Sequence, residues 1–175
     1  MKVVAVVGIL LIGAATSAYA QAVSADEGRR VWGYVFAAPA IGGAPTSERF
    51  FHWGGGVEWR VRPRIGIAAD MGALHFGDSP AYPLFMLSVD GSYHFHDQGV
   101  RSLVPFITGG YSGASLVAGL DMPWANAGAG VNYWLRNGKG FLAEARYQVT
   151  RRGSGCYGPA SCRNWFVESR AGFNF

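Results

Sequence analysis

The side chains able to do chemistry are few and oddly spaced. His94-Phe95-His96 puts two imidazoles on one face of an extended segment beside Asp97. A metal could use them, but a site needs three or four converging ligands, and two His at period two read instead as a polar strand end meeting a turn. Cys156 and Cys162 flank Tyr157-Gly158-Pro159-Ala160-Ser161. Two cysteines cannot form the paired sets of a structural zinc site. In an oxidising compartment they form a disulfide at the tip of a loop. No Walker, dinucleotide-binding or G-x-S-x-G motif is present, so no cofactor, metal or catalytic residue is expected. What remains is a scattered set of charges, Glu58, Arg60, Asp70, Asp90, Glu144, Arg146, Glu168 and Arg170, each set among small or apolar neighbours.

The elements that carry those charges show period-two alternation and no convincing helical periodicity. Phe141, Ala143, Ala145, Tyr147 and Val149 alternate with Leu142, Glu144, Arg146, Gln148 and Thr150. Trp165, Val167, Ser169, Ala171, Phe173 and Phe175 alternate with Phe166, Glu168, Arg170, Gly172 and Asn174. The same dyad runs through Phe51–Val61, Ile65–Ala73 and Phe85–Phe95, and more faintly through Arg30–Pro39, Val104–Gly113 and Trp124–Leu135. In the fainter three, Gly and Ala blur the phase, and the facing of Pro105 and Trp124 stays open. Alternation over this length predicts strands with one apolar and one polar face. Eight strands are expected, starting near residues 30, 50, 65, 84, 104, 124, 140 and 164.

Their connections alternate in character. Arg62-Pro63-Arg64 and Arg136-Asn137-Gly138-Lys139 are tight, the latter with an Asn-Gly hairpin signal, and His96–Ser102 is somewhat longer. Ile41–Arg49, Gly77–Pro83, Ala114–Pro123 and Arg151–Arg163 are the long connections. Short turns at one end and long loops at the other describe an up-and-down meander. The uncharged run Ser102–Leu120 has the length of a membrane helix, but Pro105, Gly109-Gly110 and Gly113 favour two strands.

Composition narrows the setting. Of 175 residues, 26 are Gly and half are hydrophobic, which excludes a disordered charged chain. Met1-Lys2, the apolar run Val3–Ala14 and Ala18-Tyr19-Ala20 read as a secretory signal peptide over residues 1–20. Residues 21–29 then form a short lead-in to a barrel over 30–175. Without Lys2, 14 basic groups oppose 11 acidic ones, a net charge of +3. The basic residues are singles and pairs with no nucleic-acid motif, so no nucleic-acid partner is expected.

Which face points inward follows from cost. An eight-stranded barrel has an interior just wide enough for side chains, so Gly and Ser must leave room for Glu and Arg there. Water outside would face far more contiguous apolar surface than soluble monomers carry. Lipid outside removes the conflict. Shifting the last two strands by one residue would aim Arg146 and Arg170 at hydrocarbon, at about 2–4 kcal/mol each near the midplane. Trp165 with Phe173, Phe51 with Trp59 and Phe85 with Tyr93 share faces at eight-residue spacing, about 20 Å of height for a tilted strand.

Signal peptide, eight dyad strands and the ending Phe173-Asn174-Phe175 resemble the small bacterial outer-membrane β-barrels of the OmpA/OmpX type. The resemblance covers residues 30–175 and concerns architecture. It implies an all-β, eight-stranded antiparallel transmembrane barrel in the outer membrane with both ends in the periplasm and no periplasmic domain. It implies that Phe173 and Phe175 belong to the signal read by the barrel-assembly machinery. It also implies lipid and lipopolysaccharide as surroundings and a monomer. The lumen charges read as a plugged polar core, the alternative being a narrow ion path, and the loops read as surfaces for envelope or external contacts. Lipid A palmitoyltransferase barrels use a His with an Asp-Ser pair, here Asp78-Ser79 with His75 or His52, but Gly-Asp-Ser-Pro is also an ordinary turn. The deacylase His-x-Ser pattern is absent. A non-enzymatic barrel is therefore expected.

Overall fold

The computed structural model describes residues 30–42, 48–76, 84–96, 102–115, 122–150 and 165–175. The signal peptide, residues 21–29, Asp78-Ser79, Asp97 and the Cys156–Cys162 pair lie outside the described residues. Eight strands follow in order: β1 Val31–Gly42, β2 Glu48–Arg62, β3 Ile65–Phe76, β4 Leu84–His94, β5 Leu103–Ser115, β6 Met122–Trp134, β7 Gly140–Thr150 and β8 Trp165–Asn174. Each starts within two residues of its predicted position. The strands extend further into the first and third long connections than the sequence suggested, to Gly42 and Glu48 and to Ser115 and Met122. The described part of the uncharged run beyond Ser102 is strand β5, Leu103–Ser115, in place of a helix.

Every neighbouring pair is antiparallel, and β1 pairs with β8 to close the barrel. Closure satisfies the backbone without a free edge, which a hydrocarbon environment demands. The final contact is Phe175, whose N–H donates to the Gly33 carbonyl at 2.9 Å and whose carbonyl accepts from Gly33 N–H at 3.1 Å. Along this seam the pairing stops after Ala37↔Ala171 and resumes at Ala40↔Glu168. Pro39, which has no N–H to give, stands in the gap.

The start of β1, the end of β8 and the short turns share one end, the turn end. The β6–β7 hairpin there closes through Leu135 N–H to the Lys139 carbonyl at 2.7 Å, with Gly138 at φ 76°. A left-handed residue after a tight turn is where glycine is needed. At the β2–β3 turn the register slips between Arg60 and Arg62, which leaves Arg60 inside and Arg62 exposed at the rim.

The alternation sorts side chains cleanly between two environments. Outside lie Phe51, Trp53, Val57 and Trp59 of β2, Ile65, Ile67 and Met71 of β3, and Phe85, Leu87, Val89 and Tyr93 of β4, all substantially exposed. Leu103, Ile107 and Tyr111 of β5, Phe141 and Tyr147 of β7, and Trp165 and Val167 of β8 continue the belt. Trp124 and Pro105, whose facing was open, resolve inward and outward respectively: Trp124 is buried, while Pro105 shares the phase of Leu103 and Ile107. Val89 sits midway between Phe85 and Tyr93, at the centre of the belt. Val89→Arg should cost about 2–4 kcal/mol of folding free energy in lipid vesicles, whereas Ile41→Arg at the loop-end rim should cost about 1 kcal/mol or less. Denaturant titration of the vesicle-inserted protein measures both.

Candidate functional site: the charged lumen

All eight charged residues singled out in the sequence lie inside the barrel, none more than 7% exposed. They form a central group and a smaller one near the turn end. At the centre, Arg146 of β7 donates Nε–H to Glu144 Oε1 at 3.0 Å and an Nη1–H across the lumen to Asp90 Oδ2 of β4 at 2.8 Å. Its second terminal nitrogen reaches Glu144 Oε2 at 3.3 Å, completing a fork. Arg170 of β8 donates Nε–H to Glu168 Oε1 at 2.6 Å and Nη1–H to Asp70 Oδ2 of β3 at 3.2 Å. Tyr34 O–H donates to the same Asp70 oxygen at 3.2 Å, and the Arg170 guanidinium lies 4.2 Å above the Phe36 ring.

Each arginine thus takes one carboxylate two residues away on its own strand and one from the far wall. Period-two geometry explains the near pair, because residues i and i+2 face the same way. The far pair needs a lumen narrow enough for two side chains to meet.

Two histidines on the polar faces of their strands join the network. His52 is fully buried, with Nδ1 2.7 Å from Glu168 Oε2. An ionised carboxylate only accepts, so Nδ1 carries the proton of that bond. Gln148 Nε2–H adds a bond to Glu168 Oε1 at 3.1 Å. His94 is the last residue of β4, the strand end expected of it, and is fully buried, with Nε2 2.6 Å from Glu58 Oε1. Its strand phase turns it inward, where Glu58 is waiting; His96 lies beyond the strand and is half-buried. Among the described residues, no group of three or more His, Cys, Asp or Glu side chains is placed to hold a metal ion.

Ser92, His94 and Glu58 have the composition of a nucleophilic triad but not its geometry. Ser92 O–H donates to Glu58 Oε1 at 2.5 Å, the same oxygen that His94 meets. A relay needs the imidazole between hydroxyl and carboxylate. Here the carboxylate is the hub, and all three groups are buried among Trp32, Trp134 and Phe106. His52 and His75, the two candidate partners of Asp78-Ser79, stand on opposite sides of the wall: His52 faces the lumen and His75 the exterior.

The larger charged group occupies the middle of the lumen, between two apolar layers. Toward the turn end, Trp32, Phe106, Trp134 and Leu142 form an apolar layer, with Arg60 stacked 5.2 Å over Trp32 and donating to the Pro63 carbonyl at 2.9 Å. Toward the loop end, Leu74, Met86, Trp124 and Phe166 form another. These inward aromatics, above all Trp32, Tyr34 and Phe36 of β1, went unseen in the sequence because β1 is apolar on both faces. A cavity of about 20 Å³ between Tyr34, Glu58, Asn132 and Glu144 has room for one water.

Space for the charges comes from glycines on the neighbouring strand. A methyl group at Gly66 would collide with the Glu58 carboxylate, at Gly128 with Glu144, at Gly110 with Asp90, and at Gly72 with His52. Gly56 makes room for both Asp70 and the Tyr34 ring. The outward Gly91 and Gly109 are different, since the nearest atoms to an added methyl are 3.8 and 3.7 Å away.

Three solved structures share this architecture. Neisserial surface protein A superposes with a TM-score of 0.62 at 17% identity, over 85% of this chain and 98% of that one. The N-terminal β-barrel domain of Pseudomonas aeruginosa OprF gives 0.55 at 20% identity, over 85% and 100%. A de novo designed transmembrane β-barrel gives 0.50 at 15%, over 82% and 93%. This chain is an eight-stranded transmembrane β-barrel. No protein-family model and no curated protein matches its sequence, so the likeness is one of fold.

Two measurements probe the interior of the barrel. Arg146→Met strands Glu144 and Asp90 without their main cation and should cost about 3–5 kcal/mol, part of it recovered by adding Glu144→Gln. Gly110→Ala should cost about 1–3 kcal/mol, while Gly109→Ala, one residue away on the lipid side, should be neutral or stabilising by up to about 1 kcal/mol. Denaturant midpoints in a common lipid decide both.

Proposed function

We propose that this protein is an outer-membrane barrel whose lumen is plugged, and that it serves envelope structure or surface interaction through its long connections. It is exported by the N-terminal signal, inserted by the barrel-assembly machinery through its Phe173 and Phe175 ending, and works as a monomer without a cofactor. The turn end faces the periplasm and the loop end the exterior, with a disulfide between Cys156 and Cys162 stiffening the last loop.

The observation that carries the reading is the filling of the lumen. Five carboxylates meet arginines, histidines and hydroxyls in a buried network between two aromatic layers. An ion crossing it would have to break paired charges in a low-dielectric interior and then pass Trp32 and Trp124. That supports a structural core and leaves the outside of the molecule as the working surface. The fold neighbours support the membrane setting.

Refolded protein should migrate differently boiled and unboiled, and the heat-modifiable form should leave planar bilayers silent. Discrete conductance steps altered by Arg146→Met would replace the plug with a gated ion path. Loss of the mobility shift would remove the folded barrel from which the reading starts.

A further inference from the structure

We infer that the loop-end rim of β2 and β3 holds the phosphorylated headgroup of an outer-leaflet glycolipid, lipopolysaccharide, between Arg49 and His75 above a ledge of Phe51 and Trp53. The inference rests on the outer-membrane reading above, because only there does the loop-end leaflet present such a lipid.

The outward positions of β2 run Arg49, Phe51, Trp53, Gly55, Val57, Trp59 and Val61. An outward arginine is costly at the midplane and nearly free at the interface, so its position marks headgroup depth. Phe51 to Trp59 spans about 20 Å of height on a tilted strand, and Arg49 stands one outward step beyond that band. His75 lies directly across from Phe51 on β3. Arg49 and His75 are therefore diagonal neighbours on one face, about 7–8 Å apart at the backbone, close enough for both side chains to reach one phosphate. The His75 ring packs nearly parallel to Trp53, at 17° and 6.5 Å between centroids, which holds the imidazole against the outer wall.

Charge favours an anion here. All five described carboxylate side chains of the strands point into the lumen, while the described exposed basic side chains are Arg49 and His75 at the loop end and Arg62, Arg64 and Arg136 among those at the turn end. The shape of the surface favours a lipid. Phe51 and Trp53, 47% and 51% exposed, lie directly below Arg49 and His75, and Ile41 pairs with Arg49 on the other side. A ligand with phosphate above and acyl chains below matches that order. A soluble acidic protein could not follow Phe51 and Trp53 into hydrocarbon.

The test is native mass spectrometry of the refolded full chain in detergent after incubation with short-sugar lipopolysaccharide. The wild type should retain the glycolipid, and the Arg49→Ala/His75→Ala variant should retain on the order of tenfold less. Arg62→Ala at the turn end should match the wild type, and a dephosphorylated glycolipid with the same acyl chains should be lost. The boiled-against-unboiled shift verifies that each variant is folded. Equal retention by the double variant, or of the dephosphorylated lipid, would overturn the site. So would full displacement by equimolar phosphatidylglycerol or by inorganic phosphate, which would make it a general anion patch. Fractionation of cells separates the two claims: wild type outside the outer membrane defeats the underlying reading, whereas correct location with unchanged binding by the double variant defeats the site alone.

Discussion

Arg146 and Arg170 stand diagonally on β7 and β8, each opposite the other strand's glutamate, and between them they engage carboxylates on four strands. Asp70 on β3 is shared, lying 3.2 Å from one guanidinium and 3.5 Å from the other. An isolated ion in that interior would be expensive, so the position of each group depends on its partners being in place. The register of β3, β4, β7 and β8 is thereby tied together across the lumen as well as around the wall. A slip of one residue in any of them would take a charge out of the network and turn it toward lipid.

That requirement also explains the layering. A charged network is strongest where water is excluded and its dipoles are fixed. Aromatic side chains at each end of the lumen supply the exclusion, and they are large enough to close a narrow barrel with a few rings. Trp32 meets Trp134 edge to face at 5.6 Å, and Trp124 meets Phe166 at 5.2 Å. The histidines sit at the boundaries between the two media. His94 touches Trp32 and Phe106 while bonding Glu58, and His52 meets Phe36 while bonding Glu168.

Much of this was legible in the sequence, for identifiable reasons. In β7 and β8 the polar face carries Glu and Arg at i and i+2, so both the phase and the near-neighbour pairs can be read from the chain. For Glu58, Asp70 and Asp90 the pattern gives the phase but not the partners. The cross-lumen partners could not be read, because they depend on strand stagger, which no local pattern encodes. β1 hid its contribution for another reason: Trp32, Tyr34 and Phe36 alternate with Val and Gly, and apolar residues on both faces carry no phase. The inward His52 offered a usable signal, since it shares parity with Glu58 and Arg60 on the same strand. That parity was sufficient to place it in the lumen.

The pairing of inward glycines with large neighbours has a consequence for sequence variation. What the barrel must hold constant is the volume of each layer, and that volume can be divided between adjacent strands in either order. A glycine beside a glutamate fills the same space as two residues of middling size, or as the same pair exchanged across the ladder. Barrels built this way can drift far in sequence while each intermediate stays filled, provided that neighbouring positions change together. Neisserial surface protein A at 17% identity and a de novo designed barrel at 15% keep the same architecture, so this fold accepts very different fillings. Substitutions inside such a barrel act on pairs of positions facing each other across a ladder rather than on single residues.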